Sequence, residues 1–188
     1  MPLRKVDITP NGAAIDGNDL NIDNANGTLL TAIYKQWAND YPKFYKMDGL
    51  SRLAFAVGEL MVKGTDSLPT LALEDNTAIV FVGKSGSLAS DVKYQDTISN
   101  PDNFFPSPAH FVYTLPNIAT GELAIRHEVH GETAFFIASQ QDEAQISTLL
   151  HTAAMDKEAT HVLGGWLEYE DDNHFAAHAQ LYKVVRDL

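Results

Sequence analysis

Apolar residues follow two rhythms along this chain, and their alternation predicts a layered α/β protein. Leu50, Leu53, Ala54, Val57, Leu60 and Met61 recur at steps of three and four, the pattern of an amphipathic helix. Leu30, Ile33 and Trp37 continue the same period after Thr28, until Pro42 interrupts it. Ile146, Leu149, Leu150 and Ala153 form a third helical face, and Ser139 or Gln140 is expected to cap that helix ahead of Asp142 and Glu143. A further helix is expected to be capped by Thr114, to carry Pro116 in its first turn, to hold Arg126 and His127 near its C-terminus and to stop at Gly131.

Between these lie short apolar runs that suit strands buried on both faces: Thr77–Val82, Thr133–Ala138 and His161–Leu167, the last broken by a glycine pair. Lys5–Thr9 and Ala176–Val185 complete the expected strands. Asn18–Gly27, Gly83–Ser90, Asn100–Pro108 and the acidic stretch Glu168–Asn173 are expected to be loops. Strands alternating with helices predict a mixed, mostly parallel sheet with helices packed on its faces, in one domain spanning residues 1–188.

Composition narrows the function classes. The 188 residues include 13 basic and 25 acidic side chains, for a net charge of −12. Such a surface repels phosphate backbones and anionic lipid, so neither nucleic acid nor membrane is an expected partner. No apolar run approaches the roughly 20 residues of a membrane span. The start MPLRKVDITPNG lacks the apolar core of a secretory signal, so a cytoplasmic location is expected. With no cysteine, disulfides, thiolate metal sites and cysteine nucleophiles are excluded.

Several residues invite chemistry. Gly83-Lys84-Ser85-Gly86-Ser87 follows a predicted strand and nearly matches the serine-hydrolase turn, but Ser87 stands where the last glycine is needed. A small stand-alone ester or thioester hydrolase using Ser85 is therefore an alternative to weigh. A phosphate-binding loop is rejected because Ala78 occupies its first glycine position. His127/His130 and His174/His178 have suggestive spacings, yet no third ligand accompanies them, so no metal or other cofactor is expected. Glu168, Glu170, Asp171 and Asp172 read as a solvated loop. Phe104, Phe105, Phe111 and Tyr113 suit a core, an acyl-chain pocket or a subunit interface.

Four segments, in order, resemble the N-terminal half of the β-ketoacyl synthases of the thiolase superfamily. Lys46–Leu60 (KMDGLSRLAFAVGEL) resembles an early helix of that family, and Ile79–Ser87 (IVFVGKSGS) the strand and loop after it. Pro108–Gly131 resembles the dimer-core helix and the turn before the active-site strand. Gly164–Glu170 (GGWLEYE) resembles the glycine-rich strand after the nucleophile helix. The first thirty residues match poorly.

The resemblance implies a thiolase-like half-domain. It also places the nucleophile nine residues after Gly131, at Gln140. An amide there forms no acyl-enzyme. Glutamine at this place resembles chain-length factors, the inactive partners of ketosynthases. It also resembles loading-type decarboxylases, which need two histidines from a C-terminal half that this chain does not reach. The implied function is a non-catalytic, chain-length-factor-like subunit in fatty-acid or polyketide-type biosynthesis, aryl-polyene pathways included. It would act as a homodimer or pair with a ketosynthase, with Gln140, Phe111 and Phe136 near an acyl pocket. An acyl-ligand binding module without a partner enzyme is the remaining alternative. Acyl carrier proteins are acidic like this chain, so a carrier would take part only indirectly, through a basic partner.

Overall fold

The computed structural model describes residues 1–23, 27–64 and 68–186, with Asn103 by its backbone alone. Its strands are β1 (Arg4–Thr9), β2 (Gly12–Ile15), β3 (Asn18–Asp19), β4 (Thr77–Gly83), β5 (Thr133–Ile137), β6 (His161–Asp171) and β7 (His174–Lys183). Its helices are α1 (Leu29–Ile33), α2 (Gly49–Val62), α3 (Leu88–Asp96), α4 (Pro108–Val112), α5 (Asn117–His127) and α6 (Glu143–Ala154). The strands form one sheet in the order β3-β2-β1-β7-β6-β4-β5.

The sheet is mixed, as expected, but not mostly parallel. Among the described residues only β4 with β5 and β4 with β6 run parallel, while the other four pairings are antiparallel. The reason is connectivity. Parallel neighbours need a long crossover, and among described strands that lie together in the sheet only β4, β5 and β6 are joined through helices. Tight turns join β1, β2 and β3, and a two-residue turn joins β6 to β7, so these pair antiparallel.

Every residue of β4 is buried. Ile79 and Phe81 enter the larger core, beneath α2 and α5, whereas Ala78, Val80 and Val82 enter a smaller core with Ile146, Leu150 and Ala153 of α6. The continuous apolar run of β4 is thus a strand covered on both faces. The glycine pair does not break β6. A Cβ at Gly164 would lie 1.9 Å from the Val80 carbonyl oxygen, and one at Gly165 2.0 Å from that of His178. Both positions require glycine because neighbouring backbones come so close.

Helix α2 begins at Asp48, whose carboxylate accepts the Ser51 N–H at 2.9 Å. It buries most of its circumference, including Leu53, Phe55, Val57, Leu60 and Met61. Each such side chain contributes roughly 1.5–3 kcal/mol relative to exposure.

Several element boundaries depart from expectation. Asn18–Gly27 contains the short β3, and residues 24–26 of it lie outside the described part. Gly83–Ser90 runs into α3 from Leu88. Thr114 caps no helix, because its hydroxyl donates to the Phe111 carbonyl, and Pro116 occupies the cap position of α5. Glu128, in the left-handed conformation, ends α5 three residues before Gly131. The cap of α6 is Asp142, which accepts the amides of Ala144 and Gln145, rather than Ser139 or Gln140. The strand expected over Thr133–Ala138 lies at the sheet edge and is only half covered.

One charged cluster sits inside the α2–α5 packing. Glu59 is 1% exposed and accepts from Arg126 Nε at 2.6 Å. Arg126 also donates to Asp40 at 2.7 Å and lies over the rings of Tyr41 and Phe55. Removing one member of such a buried pair costs about 3–5 kcal/mol. His127 Nε2 is 3.9 Å from Glu59 and has no hydrogen-bond partner among the described residues. Burial pushes the His127 imidazole below its ordinary value, Glu59 opposes this, and Arg126 and Lys63 add to it.

No described helix is long and apolar enough to cross a membrane. The neutral His127 gives a pH prediction. Below the ordinary histidine value of about 6.5 the unfolded chain binds a proton that the folded chain resists. The stability is therefore complete above that pH and is lost as pH falls toward the folded-state value, by at most about 1.4 kcal/mol per pH unit. Urea unfolding of His127→Gln should show a shallower decline than wild type between about pH 6.5 and 5. Equal slopes would contradict a buried neutral imidazole.

Candidate functional site

Parallel strands direct their carboxyl ends to one side of the sheet, where α/β proteins place their functional loops. Here that rim gathers the loop after β4, the turn after β5 and the end of β6. The three meet through backbone contacts: Ala138 N–H donates to the Gly83 carbonyl at 3.0 Å. A Cβ at Gly83 would lie 2.3 Å from the Leu167 carbonyl oxygen.

Glu168 locks this rim. The residue belongs to β6, not to a solvated loop, and so do Glu170 and Asp171. Its carboxylate accepts the amide of Lys84 at 2.5 Å and that of Ser85 at 3.0 and 3.1 Å. Successive amides that converge on an anion form a nest. In this protein the anion is supplied in cis. The clamped loop continues into Gly86 (φ +54°), where a Cβ would meet Ile137 Cδ1 at 2.8 Å and Pro116 Cγ at 3.0 Å. Glu168 thereby fixes the β4–α3 loop against the end of β5 and the start of α5.

The clamp bears on the hydrolase alternative. The hydrogen bonds of Ser85 are donated by its amide to Glu168, and among the described residues no histidine bonds to its hydroxyl. A serine nucleophile needs such a base within reach.

The other singled-out residues are spread apart. Gln140 is exposed in the turn between β5 and α6. Phe136 lies on β5 and is 41% exposed. Phe111 lies on α4, is 55% exposed and contacts the Tyr94 ring at 5.3 Å between centroids. These three line neither of the two concavities described further on. Tyr113 is half-buried and donates to Glu122 at 3.2 Å. Burial, and then the Glu122 carboxylate, raise its phenol well above the ordinary range. Lys43 lies 2.7 Å from the other oxygen of Glu122.

The histidine pairs are separated by their partners. His127 is enclosed beside Glu59, while His130 is exposed and pairs with Asp75. His174 bonds Asp171 at 2.9 Å and His178 bonds Asp7 at 2.7 Å. The hydrogen bond that His174 donates to the Asp171 carboxylate raises its imidazole above its ordinary value. Among the described residues no group of three or more candidate ligands is placed to hold a metal.

Of the surface that flanks the rim, the sequence patterns singled out Phe104, Phe105, Phe111 and Phe136, but neither β5 as a sheet edge nor the exposed face of α5. Strand β5 ends the sheet, so one side of its backbone has no strand partner among the described residues. It reads Thr-Ala-Phe-Phe-Ile, with neither charge nor proline, and Ile137 is 59% exposed. Phe104, Phe105, Val112 and Leu115 are also exposed, before, on and after α4, as is Ile125 on α5. Gly121 lies one turn before Ile125 in the interior of α5, and a Cβ there would meet nothing within 4 Å. A glycine inside a helical pattern was the available signal for this face.

No family model matches the chain, and no curated protein matches it. Solved structures do. One is the ishigamide ketosynthase/chain length factor, matched at a TM-score of 0.69 and 16% identity, over 96% of this chain and 60% of that one. Another is a ketosynthase (ApeO) in complex with its chain length factor (ApeC) from Xenorhabdus doucetiae, at a TM-score of 0.62 and 15% identity, over 97% of this chain and 78% of that one. The chain thus spans about 60% of the length of the ishigamide protein it matches. At these identities the likeness is one of fold: the chain shares the α/β fold of these ketosynthase and chain length factor structures.

The clamp is testable in the isolated protein. Glu168→Ala should lower the unfolding free energy by about 1–3 kcal/mol, the cost of leaving part-buried amides unpaired. Glu168→Gln, which keeps one acceptor, should fall between that variant and wild type. Urea unfolding with hydrogen exchange at Lys84 and Ser85 checks both points. Unchanged protection of these amides in Glu168→Ala would contradict the clamp.

Proposed function

We propose that this protein is a non-catalytic, chain-length-factor-like subunit of polyketide-type or fatty-acid biosynthesis, acting in the cytoplasm as a single domain paired with a ketosynthase. The observation that carries the proposal is the condition of the two sheet edges. Edge strands present unpaired N–H and C=O groups, and proteins usually blunt them by shortness or charge. At one end β3 has two polar residues, Asn18 and Asp19. At the other end β5 has five uncharged residues, flanked by exposed phenylalanines on one side and an open glycine on α5. One edge is finished for water and the other is suited to strand addition.

The solved structures of this fold, which are of ketosynthases with chain length factors, support a ketosynthase as the partner. The net charge of −12 disfavours a second copy of this chain and an acidic carrier as direct partners, because like charges oppose docking. A carrier would engage the ketosynthase instead. In this proposal Phe136 and Phe111 supply apolar surface to an acyl pocket completed by the partner. Gln140, which has no ionisable nucleophile, forms no acyl-enzyme and contributes shape and an amide.

Gly121 separates docking from folding. The open space beside it accepts a side chain in the free subunit, and replacing a helical glycine gains up to about 1 kcal/mol in propensity. Gly121→Leu should therefore unfold at the same denaturant concentration as wild type or a higher one. Affinity-tagged wild type should recover a ketosynthase, identified by mass spectrometry, from the native host. Gly121→Leu and Phe136→Glu should recover at least about tenfold less, a loss of about 1.4 kcal/mol. Recovery of no ketosynthase by wild type, or equal recovery by the variants, would overturn the proposal.

A further inference from the structure

The face of the sheet beneath α6 holds an open groove of about 540 Å³. Ligand sites commonly fall between roughly 300 and 1,000 Å³. One wall is the C-terminal half of α6, where Leu150 and Ala154 face inward. The floor is Val162 of β6, and the other wall follows β7 through Tyr182 and Val184 to Arg186. Tyr182 lies on β7, and Val184 and Arg186 follow beyond its end at Lys183. Met155 and Val185 at the mouth are 71% and 81% exposed.

The charge of this groove is the reverse of the molecule's. The chain carries 25 acidic residues, yet none of the described ones lines it, whereas His151, Lys183 and Arg186 do. The second concavity, about 420 Å³, follows the overall charge and includes Asp7 and Asp19. Arg186 is held in place without being neutralised by any described residue. Its Nη2 donates to the backbone carbonyls of Asp156 at 2.5 Å and Ala159 at 2.9 Å, and no carboxylate pairs with it among the described residues. Its Nε and Nη1 have no partner among them. A braced guanidinium at the end of an apolar trough is a receptor for one anionic head on one alkyl chain.

From this geometry we infer that the α6–β7 groove binds a soluble, single-chain anionic amphiphile such as a fatty carboxylate, with the alkyl chain along Leu150, Ala154, Val162 and Val184 and the carboxylate on Arg186. This site is separate from the β5 docking edge and does not depend on the proposed partner. Titration of the full chain with laurate, by calorimetry, tests it. Wild type should bind one laurate. Lauryl alcohol, which keeps the chain and lacks the charge, should bind at least about tenfold more weakly, the scale of a lost charge-assisted hydrogen bond. Arg186→Gln should weaken laurate by a similar factor, and Ala154→Trp, which fills the trough, should abolish binding. Unfolding midpoints and circular dichroism of both variants establish that they fold, and Val184→Glu replaces Ala154→Trp if the tryptophan variant does not.

Three results would overturn the inference. These are the absence of laurate binding at sub-millimolar concentration, equal affinity for acid and alcohol, and binding that survives both Ala154→Trp and Val184→Glu. Sedimentation of the protein with phosphatidylglycerol vesicles, without uptake of free laurate, would assign the groove to a lipid surface and also overturn it.

Discussion

Burial of β4 on both faces is the constraint from which the rest of the architecture follows. A strand with Thr77 to Gly83 all buried needs a helix layer on each side, and α2 with α5 and α6 supply the two. Its parallel partners must be reached by crossovers, which places helices between β4, β5 and β6. Their backbones come so close that Gly83, Gly131 and Gly164 leave no room for a Cβ. The same parallel set brings three carboxyl ends to one rim, where Glu168 satisfies the amides of the loop after β4.

From this rim the functional surface extends sideways rather than inward. The clamped loop places Gly86 against Ile137 and Pro116, and those residues lead to the open edge of β5 and the exposed face of α5. Gln140 lies in the exposed turn after β5. A catalytic reading would require a nucleophile, a base and an enclosed pocket. The described residues place Ser139 and Gln140 in an exposed turn, leave Ser85 without a bonded histidine and leave one side of β5 without a strand partner.

Much of the fold was legible in the sequence. The period of α2, the face of α6 and the buried run of β4 follow directly from residue spacing, because each of these elements packs against a core. The parallel fraction of the sheet was not legible, since Gly12–Ile15 is too short and too small in its side chains to mark a strand. The stretch Glu168–Asp171 looked like a loop because acidic residues usually solvate one, yet Glu168 finds amide donors and Tyr169 packs over Gly49, so the strand continues. Thr133–Ala138 was expected to be buried, because an apolar composition alone does not distinguish a central strand from a sheet edge. The cap of α6 was misplaced by two or three residues for a local reason: Asp142 accepts two amides where Ser139 and Gln140 accept none.

The most direct measurement is amide hydrogen exchange on the subunit alone and in complex with the ketosynthase it recovers. Strand addition at β5 predicts that exchange slows on complex formation in Thr133–Ile137, together with α4 and the Gly121–Ile125 turn of α5, while β1–β3 keep their free rates. Protection confined to the opposite sheet edge or to the α6–β7 groove, with β5 unchanged, would contradict the account.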